Sequence, residues 1–309
     1  MKNMSHEIID AHTHFFSYHF FSALIQQKDK NADIEKSLHL IQSSRGISIP
    51  DKNVQDHTKK WLAEMDKYGI SRMVTFASLP EESDAVAEAV HFSSDRLIGY
   101  SLLNPCAKNA VDFVHSVHKK GFKGLLLFPV MHGYSMSDES IVPVLQTAAI
   151  HDMVILVHFG LLSIPIRDVI GLPRPFDMRY GNPLDLQVTA NRFPETIFVI
   201  PHFGCGFFRE TLMLGSLCEN VYVDTSSSNS WIRTQPEGKT LTDVFKKSFE
   251  IFGSRRIMFG TDSSVFPRGW RNDLFNEQLG IVNSIGLNQE DQHNFFAGTI
   301  KRILKLKES

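Results

Sequence analysis

The chain has 309 residues, of which 42% are hydrophobic and 21% charged, with a formal charge of −2. This is a globular composition with core material for one large α/β domain, and it lacks the basic footprint of a nucleic-acid or anionic-membrane binder. Cys106, Cys205 and Cys218 have no C-x-x-C spacing, which argues against a disulfide framework or a zinc ribbon. Residues 1–7 are polar with no signal-peptide core, and apolar runs such as 125–131 are too short to span a bilayer. The expectation is a cytoplasmic protein without membrane or nucleic-acid partners.

The first strand, residues 8–14, reads Ile-Ile-Asp-Ala-His-Thr-His. Strand alternation predicts Asp10, His12 and His14 on one face and Ile9, Ala11 and Thr13 on the other. Residues 15–55 form a long polar and aromatic segment, with room for a short helix at 34–41, and such a segment inside a compact domain suggests a functional cover. A helix is predicted over 54–68 with Gly69 as its stop, then a strand over 71–77. The alternation continues with a helix at 81–92, whose acidic start suits the helix dipole, a strand at 96–103, a helix at 108–120 and a strand at 122–128. Next come a helix at 138–151, a strand at 153–158 ending in His158-Phe159-Gly160, and a second long loop at 161–182. A helix at 183–193 leads to a strand at 197–202 ending in His202-Phe203-Gly204. A helix at 207–218, a strand at 221–224, a helix at 239–252 and a strand at 256–261 ending at Asp262 follow. Helices at 272–284, 289–297 and 299–305 close the chain.

These eight strands, most of them continuous apolar runs, each lead on to a helix, as in a parallel sheet buried on both faces. The fold class is therefore α/β, a TIM-type (β/α)8 barrel, read as a single domain over 1–309 with a long insertion after strand 1, residues 15–55, covering the substrate. A doubly wound sheet would want a glycine-rich turn where the chain has His-Thr-His-Phe-Phe. In such a barrel the strand ends form the active site, and there stand His12, His14, His158, His202 and Asp262. One His-x-His pair is close to what chance gives with 14 His; the repeated apolar run stopping at a ligand-type residue is the stronger signal. Three imidazoles and a carboxylate with an open position match a catalytic zinc site, which would activate water and polarise a carbonyl.

The ordered segments IIDAHTH, KGLLLFP, VILVHFG, VIPHFG, VYVDTSS and IMFGTDSSVFP resemble the amidohydrolase superfamily, in particular its amidohydrolase-2 branch, over about residues 8–304. The resemblance implies one divalent metal, typically zinc, on His12, His14, His158 and Asp262. His202 then matches the histidine that handles protons or the substrate, and both His202 and Asp262 are candidate catalytic groups. The branch holds lactone and other carbonyl hydrolases and non-oxidative decarboxylases such as aminocarboxymuconate semialdehyde decarboxylase; its members are often dimers, so a homodimer is an open expectation. Many relatives show GIKLHP where this chain has Gly124-Leu125-Leu126-Leu127-Phe128-Pro129. Leu126 and Phe128 thus stand in place of a Lys and a His, which implies a single metal.

The reading is a mononuclear metal-dependent hydrolase of a small lactone, amide or ester, working through a metal-activated water. The alternatives are a zinc-dependent decarboxylase of an unsaturated or aromatic acid, and a non-catalytic binding barrel, which should show a broken ligand set. Arg167, Arg174, Arg179 and Arg268 are candidates for a substrate carboxylate, Arg179 and Arg268 foremost, and His132 just past strand 4 is a further substrate-binding candidate. Asp10 and Asp224 could support the metal site or be structural. Phe15, Phe16 and Trp270 are pocket candidates with packing as the default. His115 and His118 read as part of a solvated helix, and His151 as a helix C-terminus.

Overall fold

The computed structural model describes residues 7–307, the side chain of Glu237 excepted. Its strands are β1 (Ile9–His14), β2 (Arg72–Ala77), β3 (Leu97–Leu102), β4 (Gly124–Leu127), β5 (Val154–Val157), β6 (Phe198–Ile200), β7 (Val221–Asp224) and β8 (Ile257–Met258). They form one sheet in sequence order, every pair parallel. The ring closes where β1 bonds the segment around and beyond β8: Ala11 N–H donates to the Phe259 carbonyl at 2.9 Å and His14 N–H to that of Ser263 at 2.8 Å. The expected TIM-type barrel is the observed one.

Strand alternation sorts the apolar residues into two layers. Leu126, Val154, Leu156 and Val199 fill the barrel interior with Val74, Phe76 and Tyr100, while Leu125, Leu127, Ile155, Val157 and Val223 face the surrounding helices. This is why β4 and β5 read as unbroken apolar runs. Burying each such side chain contributes roughly 1.5–3 kcal/mol, so the two layers, rather than surface ion pairs, hold the barrel.

The first departure lies between β1 and the third helix. The segment expected as a loop folds as α1 (Tyr18–Lys28) and α2 (Ile34–Arg45), the latter replacing the short helix anticipated at 34–41. Ser17 caps α1 through Phe20 N–H, Asp33 caps α2 through Lys36 N–H, and Gly46 ends α2 at φ 62°. Phe20, Phe21, Leu24 and Ile25 of α1 pack with Leu38 and Ile41 of α2 and with Leu79, Ile170 and Leu172. A small separate core results, above the strand ends.

The remaining helices are α3 (Val54–Tyr68), α4 (Ser83–Phe92), α5 (Ala110–Lys119), α6 (Pro129–His132), α7 (Val142–Ile150), α8 (Pro165–Val169) and α9 (Gln187–Arg192). They continue with α10 (Phe208–Leu217), α11 (Leu241–Phe252), α12 (Asn272–Ser284), α13 (Gln289–His293) and α14 (Thr299–Ile303). The predicted bounds of α3 and α12 are those observed. The second loop, 161–182, contains the short α8. Among the described residues no helix is long and apolar enough to cross a membrane.

Candidate functional site

His12 and His14 enter the cavity at the strand C-termini, but not by the alternation expected. Ile9 and Ala11 belong to the interior cluster, so strict alternation would send His12 outward. Three steps along β1, from Asp10 to Thr13, face two along β2, from Met73 to Thr75. That extra residue re-aims the strand, as bulges beside active sites do. Asp10 consequently does not share His12's surroundings. It is fully buried, accepting from the His12 and Thr261 backbone N–H groups at 3.1 Å each and from Trp270 Nε1–H at 2.8 Å. Trp270 is thereby a buried anchor of the outer layer and not a pocket wall, and Phe15 likewise packs outside the barrel. Of the three aromatics considered, Phe16 alone lines the cavity.

The backbone leaves the strand before each later site residue. β5 stops at Val157, one residue before His158, and β6 stops at Ile200. His202 (φ 56°), Phe203 (φ 54°) and Asp262 (φ 59°) adopt left-handed conformations, each costing about 1–2 kcal/mol. The surroundings hold them there: His202 N–H donates to Asp224 Oδ1 at 3.2 Å, and Asp262 N–H to the His12 carbonyl at 2.9 Å. The repeated His-Phe-Gly ending has a steric reason. Gly160 sits at φ 75° where a Cβ would run into the Cys205 carbonyl, and Gly204 at φ 85° where it would meet Thr211 Oγ1.

Hydrogen bonds assign the imidazole nitrogens. His12 Nδ1 lies 2.8 Å from Asp224 Oδ2, so it carries the proton and leaves Nε2 as a lone pair. Asp224, fully buried, also accepts from Ser226 Oγ–H and Ser226 N–H through Oδ1. His202 Nδ1 lies 3.2 Å from the Ser226 carbonyl and 2.8 Å from Ser226 Oγ. A carbonyl only accepts, so His202 Nδ1 is protonated and Nε2 is the ring's free acceptor. Asp224 therefore supports His12 directly and His202 through Ser226. His14 Nδ1 is 2.6 Å from Ser78 Oγ.

Among the described residues, two groups of side chains present metal-type donor atoms within 4.8 Å of one another: His12, His14 and Asp262, and His12, His202 and Asp224. In the second, the Asp224 oxygens are already saturated by donors from His12, His202 and Ser226. The first opens on the cavity, with His14 Nε2 3.2 Å and His12 Nε2 3.8 Å from Asp262 Oδ1. His158 belongs to neither group, yet it lines the same cavity, its ring 5.1 Å from that of His202, and its buried Nδ1 lacks a hydrogen-bond partner. Burial lowers the pKa of His14 and His202 and brings His158 down to about 3. Burial also pushes the Asp262 carboxyl up, but the hydrogen bond and charge of His14, with His12 and His202 behind it, hold it far below the usual range. Burial disfavours the charged forms of His12 and Asp224, and their mutual attraction outweighs it, raising the first and lowering the second. An ionised carboxylate and imidazoles whose Nε2 atoms face it are the donor set a divalent cation takes, once it displaces the proton that His14 shares with Asp262 and the second proton that the raised pKa lets His12 hold. The residues fit one.

The cavity holds about 400 Å³, within the range for small-molecule sites. Leu126 and Phe128 both line it, and Phe128 stacks on His158 with centroids 4.9 Å apart. Where a second metal's bridging ligand would stand there is hydrocarbon. Phe16, Phe20, Phe21 and Leu24 form one wall, and residues 162–167 contribute another.

Of the candidate arginines, Arg268 and Arg167 line this cavity, Arg268 donating to Ser264 Oγ at 2.8 Å. Arg179 does not line it: its guanidinium grips Asp177 two residues back, at 2.6 and 2.9 Å, with the side chain 85% exposed. Arg174 pairs with Asp168 instead. His132 also lies outside, because the turn of α6 sends Met131 to the cavity and stacks His132 over Tyr134. Burial lowers its pKa to about 4.

Sequence reasoning missed Arg45, at the end of α2, which lines the cavity. It also missed the role of Glu82, read only as one of the acidic residues suiting a helix dipole but fully buried. Glu82 accepts from Ser17 N–H (2.6 Å), Ser17 Oγ–H (2.9 Å) and Ser78 N–H (2.8 Å). It thus ties the cap of α1 to the serine behind His14, and burial raises its pKa to about 7 against those donors. No sequence signal marked it, since Ser17 and Glu82 lie 65 residues apart.

The amidohydrolase family model matches residues 9–306. Among curated proteins there is no match. Solved structures agree along the whole chain at low identity. One is a probable 2-pyrone-4,6-dicarboxylic acid hydrolase from Acinetobacter baumannii with bound citric acid (14% identity, TM-score 0.63, covering 97% of this chain and 100% of that one). Another is the 5-carboxyvanillate decarboxylase of Novosphingobium aromaticivorans with manganese and a nitrobenzoic acid (16%, 0.67, 99% and 98%). A third is an amidohydrolase from Burkholderia multivorans with bound zinc (13%, 0.65, 97% and 100%). With the family model spanning nearly all of its length, this chain belongs to the amidohydrolase family, in the amidohydrolase-2 branch that holds both hydrolases and decarboxylases.

Proposed function

We propose that the protein is a mononuclear, metal-dependent hydrolase of a small carbonyl compound, a lactone, amide or ester. The observation that carries this reading is the set His12, His14 and Asp262 opening on one small cavity, with His202 beside it in a fixed tautomer. His12, His14, His158 and Asp262 would hold one divalent ion, zinc in the first instance. Bound there, it would supply Lewis acidity, polarising a carbonyl and lowering the pKa of water. His202 Nε2 accepts a proton from the attacking water as the new C–O bond forms. The scissile C–O or C–N bond then breaks, and His202 returns the proton to the leaving atom. Ser226 and Asp224 keep the imidazole oriented throughout. The residue 15–55 segment supplies the apolar wall that excludes water, within one catalytic domain spanning residues 1–309.

Arg45, Arg167 and Arg268 around the cavity favour a second reading, decarboxylation of an aromatic or unsaturated acid. Guanidinium groups recognise carboxylates, and the solved relatives include a decarboxylase. The metal-loaded protein, given a panel of lactones, small amides and aromatic acids, separates the two by solvent ¹⁸O incorporation against CO₂ release. Label in the product without CO₂ is the expected result, and stoichiometric CO₂ overturns hydrolysis in favour of the second reading. Turnover of none of the panel, with every ligand intact, would count for the non-catalytic barrel.

A further inference from the structure

Three histidines meet on the opposite face of the barrel, away from the mouth. His115 and His118 lie on α5, and His151 caps α7. Both helices run into the start of the next strand, β4 and β5, so their C-terminal ends sit at the strand N-termini. His115 Nδ1 is 2.8 Å from His151 Nε2, with the two rings at 84° and centroids 5.0 Å apart. The His118 ring stacks on that of His151, centroids 3.9 Å apart and planes 14° from parallel. His115 and His118 are exposed, and among the described residues none of the three joins an ion pair: the nearby Lys120 pairs with Asp84 and Asp152 with Lys305.

We propose that His115, His118 and His151 form a second, surface site for a divalent transition ion, copper, nickel or zinc. Between His115 and His151 a single proton now joins two nitrogens. An ion in its place would engage both lone pairs, and at Zn–N distances of about 2.0–2.1 Å in tetrahedral geometry those nitrogens stand roughly 3.3 Å apart. The exposed His115 and half-buried His151 reach that spacing from 2.8 Å by a small rotation. His118, whose ring now stacks on that of His151 with its donor atoms outside the 4.8 Å spacing of a ready-made group, becomes a third ligand by swinging out of the stack. Crowding favours the neutral, ligating form, since burial and then the neighbouring His118 and His115 lower the pKa of His151. The carbonyl ends of α5 and α7 converge there and favour positive charge. An ion at this site would clamp α5 to α7, two helices already packed together.

The inference is independent of the reading of the mouth. Protein dialysed to constant metal content, with that content measured first by elemental analysis, is titrated with Cu²⁺ and Ni²⁺ by calorimetry. Wild type should take up one further equivalent, with Cu²⁺ tighter than Ni²⁺, raise its Tm, and show two or more imidazole nitrogens in the copper electron-spin spectrum. His115→Ala combined with His151→Ala should weaken that equivalent at least tenfold while leaving the fold and the tightly held metal unchanged. Asp262→Asn should keep it. No saturable equivalent in wild type, or equal uptake by the double variant, overturns the proposal.

Discussion

The two ends of this barrel each gather imidazoles, four at the mouth and three at the base, and they do so differently. At the mouth every ring but His158 is held from behind: His12 by Asp224, His14 by Ser78, His202 by Ser226. At the base His115 and His151 hydrogen-bond one another and His118 stacks on His151, with His115 and His118 exposed and His151 half-buried. Outer partners fix which nitrogen carries the proton and aim the free lone pair before any ligand arrives. The mouth is therefore preorganised for chemistry, whereas the base offers donors that must rearrange to bind. The same residue type gives a candidate catalytic centre in one place and a plain ion-binding surface in the other, and the difference lies in Asp224, Ser226 and Ser78.

Breaking the mouth directly should have the largest effect. Asp262→Asn removes the carboxylate of the open donor set; several kcal/mol of charge stabilisation correspond to about a thousandfold or more in rate. Elemental analysis should show the tightly held metal falling from about one per chain toward zero, with the base untouched. His202→Asn should lower turnover by about a hundredfold or more, the usual scale for a general acid/base, while metal content stays at the wild-type level. Loss of metal in that variant would make His202 a ligand.

Glu82 tests how far behind the rings the preorganisation extends. Its folded pKa of about 7 lies above the model-peptide value of 4.5, so the folded chain keeps a proton that the unfolded chain releases. This group's contribution is therefore most favourable below about pH 4.5 and is lost as pH rises toward 7, by about 3 kcal/mol in all at 1.36 kcal/mol per unit. Glu82→Gln does not titrate, so its unfolding free energy relative to wild type should rise across that window. A difference flat with pH would mean that Ser17 and Ser78 keep Glu82 ionised throughout.

Much of the mouth was legible because apolar runs locate strand ends, and His12, His14, His158, His202 and Asp262 each follow one. What the runs do not encode is backbone register. The bulge in β1 reverses the parity argument for Asp10 while leaving both histidines in the cavity, so the right residues were reached through a rule the strand breaks. Helix α1 and the last turn of α2, beyond the short helix anticipated at 34–41, stayed hidden because the apolar residues of α1 face a small local core and its remaining faces, like that last turn, are polar. Glu82, Ser78 and Ser226 carry no sequence signature, since a small polar residue acquires its role from neighbours far along the chain. His115 and His151 are 36 residues apart, and only the packing of consecutive barrel helices brings them together.

The smallest effect should sharpen the comparison most. Ser78→Ala removes the hydrogen-bond partner of His14 Nδ1 and leaves a ring with no partner behind it, as at the base, while its Nε2 still faces Asp262. Stacking on Phe16, with centroids 4.8 Å apart, and the edge contact with Phe76 at 5.2 Å remain, so the ring is still confined and only its tautomer and fine orientation are freed. Loss of such an outer partner costs about 10–100-fold in metal affinity or activity, and the surviving aromatic contacts place this variant at the lower end. Metal affinity measured by competition with a chelator should fall about tenfold, and kcat at saturating metal should recover most of its value. An unchanged affinity would show that Phe16 and Phe76 alone aim His14, and the contrast between the two ends would then rest on aromatic packing and not on the outer hydrogen bonds.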